Sequence, residues 1–485
     1  MILLAATLIL FATPIYAENV TIDNATHIQD AINVVSDNDV IYLNPGTYHE
    51  SGIKITKDIT LQGLGNARDI IIDGDQKDSI ILINKKSTVT LKNITFINGK
   101  SNTYGGAVYT EIAKSVHISN CIFENNTALK DGGALEISSK FNPNPREFFY
   151  GYLEVDNCSF INNYALYSGG AIGTYYVDAD IKNSEFKNNY AGDFAGVLSF
   201  VNGIFSVSSS NFENNYADYD GGVIRQNQES VLTIKDSRFI NNTAKEWGGA
   251  LYNWLGNLTV ENCTISNNTA GIRGGGIFTA GPLTATSSQF TNNTAEQGGM
   301  LYVFQEFYVI EPIVTFNNNT VSGNTAVEGS LTYYFLLTYT RSDYENNYWG
   351  DINPNSTNWD EEFLTNEYTT SPTTWIEKAP LSIADDPKTE NESKTDNRTR
   401  PPQDGVDQKN ESALNSNQKT EKTIMYSIIG NWAANNTYTT DDNPDETQSD
   451  VSEIITKQID SNNNLNLVLI ILILIIAYGI YRFEK

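Results

Sequence analysis

The chain has 485 residues, with 58 acidic against 31 basic side chains and a formal net charge of −27. A surface of that sign repels nucleic acid and anionic lipid, which need clustered Lys and Arg, and with only three histidines (His27, His49, His117) a His-built metal site is nearly excluded. Asn, Thr, Ser, Gly and Tyr are abundant and Met is scarce, a mix that suits stacked strands and turns better than helices.

Met1–Ala17 is apolar and ends in Ile-Tyr-Ala before a polar stretch. It reads as a secretory signal peptide over 1–17. It lacks a leading Lys or Arg, so an uncleaved N-terminal anchor is the alternative. Either way the chain is expected to be exported. In His27–Val35, Ile28, Ala31, Ile32 and Val35 fall at helical spacing and Thr26 is placed to cap, which predicts a short N-terminal capping helix. Short β-rich runs punctuated by Gly and Asn then follow without helices between them.

From Phe96 a repeat is explicit. An aromatic anchor recurs at Phe96, Phe123, Phe160, Phe186, Phe212, Phe239 and Phe290, with Ile265 substituting once. Most intervals are 25 to 27 residues; the long one, Phe123 to Phe160, carries an insertion around 140–150. Asn-Asn follows the anchors from Phe123 on, then Ala, then a small pair such as Gly132-Gly133, Gly169-Gly170 or Gly221-Gly222. Self-similarity at this period marks a solenoid. If each repeat is one turn of a parallel β-helix, equivalent residues stack about 4.8 Å apart. The anchors Phe123, Phe160, Phe186, Phe212, Phe239 and Phe290 should then form an internal aromatic ladder. Asn120, Asn157, Asn183 and Asn262, three residues before their anchors, should take left-handed bends and hydrogen-bond along the stack.

Cys121, Cys158 and Cys263 share one inward register, two residues before the anchor. Cys121 and Cys158 lie on adjacent coils, within disulfide reach, but Cys263 is about 19 Å further on at strand spacing. Parallel stacked side chains favour three buried free thiols over a bridge. The array weakens after Phe316, and the Tyr344–Asn355 stretch with its Tyr-Trp pair suits a cap over the open core end. A last strand is expected within 369–383. The β-helix domain thus spans 18–384.

Residues 385–464 are rich in Asp, Glu, Asn, Thr, Lys and Pro and poor in apolar side chains, which predicts a disordered acidic tether. The apolar run that follows predicts one C-terminal transmembrane helix over 465–483, with 484–485 as a cytoplasmic tail beside Arg482 and Lys485.

The F-x-N-N-x-A-x(4)-G-G-A-[IVL] phrase resembles the repeat of polymorphic outer-membrane proteins. Together with the Y-W-G-D-x-N-P closure it is similar to adhesin-like surface proteins of methanogenic archaea. The I-Q-D-A-I…I-Y-L-N-P-G-T-Y opening and the I-I-I-D-G run resemble right-handed β-helix proteins of the pectin-lyase type. The resemblance implies an all-β, right-handed parallel β-helix solenoid on a cell surface and names no ligand. Unlike the outer-membrane relatives, the chain is expected to end on one apolar helix rather than a β-barrel.

Catalytic β-helices need converging carboxylates, or a base beside bound Ca²⁺. The acids before the Gly pairs lie on different coils without repeated pairing. The best cluster is Asp218 and Asp220 near Asp193 and Glu246. It is expected to be a solvated acidic edge, with weak Ca²⁺ binding the one cofactor it would suit, and no residue is assigned as catalytic. Aromatics after the Gly pairs, Tyr175, Tyr176, Tyr252, Trp254 and Tyr302 foremost, are binding candidates if exposed; packing on a strand is the alternative. Sequons in the tether at Asn391, Asn397 and Asn410 are the best glycosylation candidates. The expected function is a non-catalytic, membrane-anchored surface adhesin for glycans or proteins of other cells. An anchored polysaccharide lyase or hydrolase, and a structural envelope protein, are the alternatives.

Overall fold

The structure, a computed structural model, describes residues 19–350 apart from 113, 140–141, 144–145, 148–150, 228–229, 306–312 and 336–341, together with the strand Phe363–Leu364. The expected signal peptide, the strand at 369–383, the tether with its three sequons and the apolar run at 465–483 lie outside these residues. Among the described residues no helix is long and apolar enough to cross a membrane.

Each repeat makes one four-sided coil of a parallel β-solenoid. Taking one coil, Gly151–Asp156 lies in a long sheet, Ser159–Ile161 in an anchor sheet, Tyr164–Ala165 in a short sheet and Ile172–Tyr175 in a fourth, the groove sheet. Each strand pairs in parallel with its counterparts on neighbouring coils, so Phe160 sits in register with Phe123 and Phe186. The antiparallel pair Asn142–Pro143 and Arg146–Glu147 belongs to the insertion.

The corners explain the punctuation. Asn120, Asn157, Asn183 and Asn262 take φ of 54°, 52°, 53° and 53° at the first bend. Asn125, Asn162, Asn188 and Asn214 take φ of 55–57° at the second. Asn tolerates this left-handed backbone where most residues would clash. The third bend is Gly132, Gly169, Gly221 and Gly248 at φ 67–69°, with Ala195 the exception at φ 58°. The glycine after that bend is needed for a different reason: a Cβ on Gly222 would lie 2.1 Å from the carbonyl oxygen of Gly249. Coils stack too closely there for any side chain.

Inside, the anchors Phe96, Phe123, Phe160, Phe186, Phe212 and Phe239 are fully buried and stack at centroid separations of 4.7–4.9 Å. A ring buries ~150–250 Å², which at ~25 cal/mol per Å² is about 4–6 kcal/mol as an upper bound. Two amide ladders run along the stack. The column Asn120, Asn157, Asn183, Asn262 makes one rung per bend, Asn157 Nδ2 donating to Asn120 Oδ1 at 2.7 Å and Asn183 Nδ2 to Asp156 Oδ1 at 2.8 Å. The continuous buried ladder is built instead by the second Asn of each pair. Asn189 Nδ2 donates to Phe160 O (2.9 Å) and Asn215 Oδ1 (3.0 Å), while its own Oδ1 accepts from the backbone and side-chain N–H of Asn163. The same set recurs at Asn163, Asn215, Asn242 and Asn268. Every polar atom of these buried amides is satisfied, as burial requires.

The three cysteines are buried and free. Each sits in a column it shares with serine: Cys121 N–H donates to Cys158 Sγ (3.4 Å) and Cys158 N–H to Ser184 Oγ (3.1 Å). Burial raises the Cys263 thiol to about 12 and the Cys121 thiol well above its ordinary value, so both stay protonated.

A helix, α1, spans Ile28–Val34 and buries Ile28, Ala31 and Ile32 beside the first coils. Its N-cap is His27, not Thr26, and the cap side chain makes no hydrogen bond. The Glu50 carboxylate, brought in by the neighbouring coil, instead accepts from Ile28 N (2.7 Å) and Gln29 N (3.0 Å). A carboxylate there also suits the helix dipole. At the other end Tyr344 and Trp349 are buried against Phe316, with centroids 5.6 and 6.1 Å away, and close the described core.

Candidate functional site

Two columns of side chains face each other along the groove sheet. The first is the residue before the third bend: Tyr104, Asp131, Ser168, Phe194, Asp220, Trp247. Stacking is direct, because the bend N–H donates to the carbonyl one coil on, as in Gly105 to Asp131 (3.1 Å), Gly132 to Ser168 (2.9 Å) and Ala195 to Asp220 (2.9 Å). The second column lies five residues later in every coil: Tyr109, Glu136, Gly173, Ser199, Arg225, Tyr252. These pair in register across adjacent strands. Leu135 and Ile137 on either side of Glu136 point into the core, so alternation puts Glu136 and its column on the outward face.

The groove is filled where both columns are large. Tyr104 stacks on Tyr109 (5.7 Å) and Trp247 on Tyr252 (6.2 Å). It opens between them, where Gly173 and Ser199 are small. The result is a cleft of about 510 Å³ lined by Tyr104, Tyr109, Glu111, Asp131, Glu136, Ser139, Thr174, Tyr175 and Arg225, among others. Glu136 lies across the bare Cα of Gly173: a Cβ there would sit 2.0 Å from Glu136 Oε2. Ser138 Oγ donates to Glu136 Oε1 (2.6 Å), and Asp131 Oδ1 accepts from Ser168 N (2.9 Å). Tyr109 donates its hydroxyl to Glu111. Arg225 is held between rings, its guanidinium 3.9 Å from the Phe194 centroid and 5.6 Å from that of Tyr252.

Three buried polar atoms of residues lining this cleft have no hydrogen-bond partner: Glu136 Oε2, Ser139 Oγ and Arg225 Nε; Thr174 Oγ1 is also unpartnered but shares the inward register of Ile137 and Phe200. An orphaned buried polar atom costs roughly 1–3 kcal/mol, so their concentration in one cavity points to a ligand or solvent that satisfies them. Burial, with the Asp131 charge adding to it, pushes the Glu136 carboxyl up to about 8. Burial also raises Asp131 above its ordinary value. At neutral pH Glu136 is therefore mostly protonated, and its Oε2–H is a donor.

The sequence-derived candidates fall in several places. Tyr175 is 45% exposed and lines the cleft, with Tyr176 packed edge-on against it at 4.4 Å. Tyr252 and Tyr302 are buried, at 4% and 1% exposure, in a stack that runs through Phe278 at 5.0 and 5.4 Å, and Trp254 is half-buried and parallel to Tyr252 at 6.1 Å. This end of the row is packed rather than open. Asp193, Asp218 and Asp220 do not converge. Asp218 accepts from Tyr190 Oη and pairs with Lys245. Asp220 is buried, and its carboxyl is pushed up to about 7 by that burial against the opposing pull of Arg225. Among the described residues the one group within ligand distance of a common point is His49, Asp73 and Asp75, which is an exposed ion-pair cluster with Lys77 3.0 Å from Asp75. The sequence reading passed over Glu136, Gly173, Ser199 and Arg225. The signal for them was present: a constant five-residue offset at which one position of an otherwise monotonous repeat keeps changing type.

The comparisons agree with this architecture. Residues 177–347 match the family described as right handed beta helix region, and residues 120–138 and 157–175 match the Chlamydia polymorphic membrane protein repeat. Neither match speaks to a methanogen source, and no curated protein matches the chain. Solved structures similar to it include a mannuronic acid specific polysaccharide family 6 lyase from human gut microbiota, at 12% identity and a TM-score of 0.40 over 74% of this chain and 91% of that one. Another is the A-module of an Azotobacter vinelandii mannuronan C-5 epimerase, at 11% identity and a TM-score of 0.30 over 68% and 97%. The chain is a right-handed parallel β-solenoid that carries polymorphic membrane protein repeats in its N-terminal half and a right-handed β-helix region after them.

Proposed function

We propose that this protein is a surface-displayed, adhesin-like β-helix that binds an extracellular ligand in the groove, with glycans as the leading ligand class. The observation that carries this reading is the open cleft with its three unpartnered buried polar atoms. The polymorphic membrane protein repeats support a surface location. So do the exported start, the acidic tether and the terminal apolar run expected from the sequence. In this reading the solenoid is displayed at the cell surface with its groove open to ligand.

A second reading has one specific observation behind it. Asp131 and Glu136 place two carboxyls in the same cleft, one of them protonated at neutral pH, which is the pairing glycoside hydrolysis uses. The test is to incubate the full-length protein with plant, mucin and microbial polysaccharides and to measure both retention and reducing-end release. Retention without release is the expected outcome. Release abolished by Glu136→Gln would replace the adhesin reading with a hydrolytic one. Release abolished by Asp220→Asn instead would place the chemistry three coils further along.

A further inference from the structure

We infer that the cleft over Gly173 is a subsite for an uncharged, hydroxyl-rich sugar residue, held between the Tyr104–Tyr109 rings and Arg225, and that it discriminates against uronates. The inference rests on the glycan-binding reading above and names the class of sugar.

The hydrogen-bonding demand comes first. Ser139 Oγ can donate or accept, Arg225 Nε can only donate, and Glu136 Oε2 donates when protonated. A ligand that meets all three must offer acceptors on several sides. Neighbouring sugar hydroxyls do that, because each can act in either sense. A peptide presents its polar groups along one line, and an apolar ligand would leave the atoms orphaned. The cavity of about 510 Å³ falls within the range of small-ligand sites. The walls supply the other half of a sugar site. The Tyr104 and Tyr109 rings stack with each other at 22° between planes, and the exposed Tyr175 ring adds a further apolar face for sugar C–H groups.

Charge then chooses within the sugars. Glu111 and Asp131 lie at the end of the cleft nearest the tyrosines, beside the protonated Glu136, against the one cation Arg225 among its described lining residues. Arg225 is also covered on its faces by Phe194 and Tyr252 and feels the charge of Asp220. A uronate carboxylate would meet acid at one end and, at the other, a guanidinium whose charge is already shared with Asp220. A neutral sugar meets neither penalty.

The test uses the purified full-length protein. Calorimetric titrations compare neutral oligosaccharides (cello-, malto-, manno- and N-acetylglucosamine hexamers) with oligogalacturonate and oligomannuronate. At least one neutral series should bind at least tenfold more tightly than either uronate. Ser139→Ala removes a hydroxyl that no protein group uses, so it should weaken neutral-sugar binding several-fold with the melting temperature unchanged. Gly173→Val, whose side chain would occupy the place of Glu136 Oε2, should abolish binding. Tighter binding of the uronates overturns the class while leaving the groove as the binding surface. Neutral sugars bound undiminished by both variants overturn the site while glycan binding stands. Cell or protein binding with no glycan of either class overturns the inference. Absence of binding to glycans, proteins and cells overturns the proposed function with it.

Discussion

The inner anchor column and the outer groove column run side by side, one rung per coil, and obey opposite rules. Inside, Phe123, Phe160, Phe186, Phe212 and Phe239 repeat one residue, and the Asn163–Asn189–Asn215 ladder leaves no donor or acceptor unused. Outside, Tyr109, Glu136, Gly173, Ser199, Arg225 and Tyr252 differ at every step, and polar atoms are left without partners. Uniform stacking is what a solenoid needs to propagate, because each coil is stabilised chiefly by its neighbours. Variation at a position that stacks equally well is not required by the fold. In a repeat protein the informative residues are the ones that refuse to repeat.

The sharpest way to break this contrast is to truncate one rung of each column. Asn189→Ala removes two donors and an acceptor that serve Phe160 O, Asn215 Oδ1 and Asn163, and it orphans them in the interior. The expected loss is about 4 kcal/mol of unfolding free energy, and Phe186→Ala should fall in the same range of about 3–5 kcal/mol. Ser199→Ala, on the groove column two coils from Glu136, should change stability by less than about 0.5 kcal/mol. Chemical denaturation of the three variants decides it. A groove truncation as damaging as the ladder truncation would mean that both columns are structural.

The second test uses pH. The Glu136 carboxyl is raised from an ordinary 4.5 to about 8, first by burial and then by Asp131, with Ser138 opposing; Tyr109 also feels its charge. Between those values the folded protein holds a proton that the unfolded chain has released. Its contribution is therefore fully present below about pH 4.5, declines as pH rises, and is lost above about 8. Glu136→Gln should flatten that decline and leave the variant more stable at pH 9 by on the order of 3 kcal/mol. Asp220, raised to about 7 by burial, contributes in the same direction, so part of the slope should survive. Thermal melts from pH 5 to 9 measure this. If the cleft works as inferred, neutral-sugar binding by the natural protein also weakens through pH 8. In Glu136→Gln, whose amide remains a donor, it does not. A flat stability profile in both proteins would contradict a buried protonated carboxyl.

Much of the fold was legible because periodicity is a one-dimensional signal. The anchors, the left-handed Asn bends and the shared cysteine register all follow from counting residues against a coil. Two things did not follow. Which Asn of a pair turns the chain and which is buried depends on side-chain direction at the corner, and both positions read as Asn; Asn125 takes φ 57° while Asn126 is fully buried. The cleft depends on Glu136 lying over Gly173, on residues 37 apart across the insertion. The acids before the Gly pairs were visible as a class, but only three-dimensional register shows that Asp131 faces Glu136 and Asp220 faces Arg225. The helix cap failed for the same reason: Glu50 reaches α1 from 22 residues away, and local capping patterns do not look that far.

The smallest predicted effect tests the third bend. Gly132, Gly169, Gly221 and Gly248 hold φ of 67–69°, and a Cβ at these sites would lie 2.1–2.5 Å from the carbonyl oxygen three residues on. Ala195 occupies the equivalent bend at φ 58° with its methyl group fully buried. An L-residue in this conformation is disfavoured by roughly 1–2 kcal/mol. Glycine relieves that strain but frees the unfolded chain, which returns about 0.4–1 kcal/mol. Losing the buried methyl group offsets much of what remains, so Ala195→Gly should raise stability by no more than about 0.5 kcal/mol, with ligand binding unchanged. The reciprocal change, Gly221→Ala, should lower it by a similar amount or more, since the neighbouring backbone must move to admit the methyl group. Matched denaturation curves for the pair read both signs at once. If Ala195→Gly is destabilising, the bend at that coil is not the strained copy of its neighbours that its φ implies, and the equivalence of the corners along the column fails there.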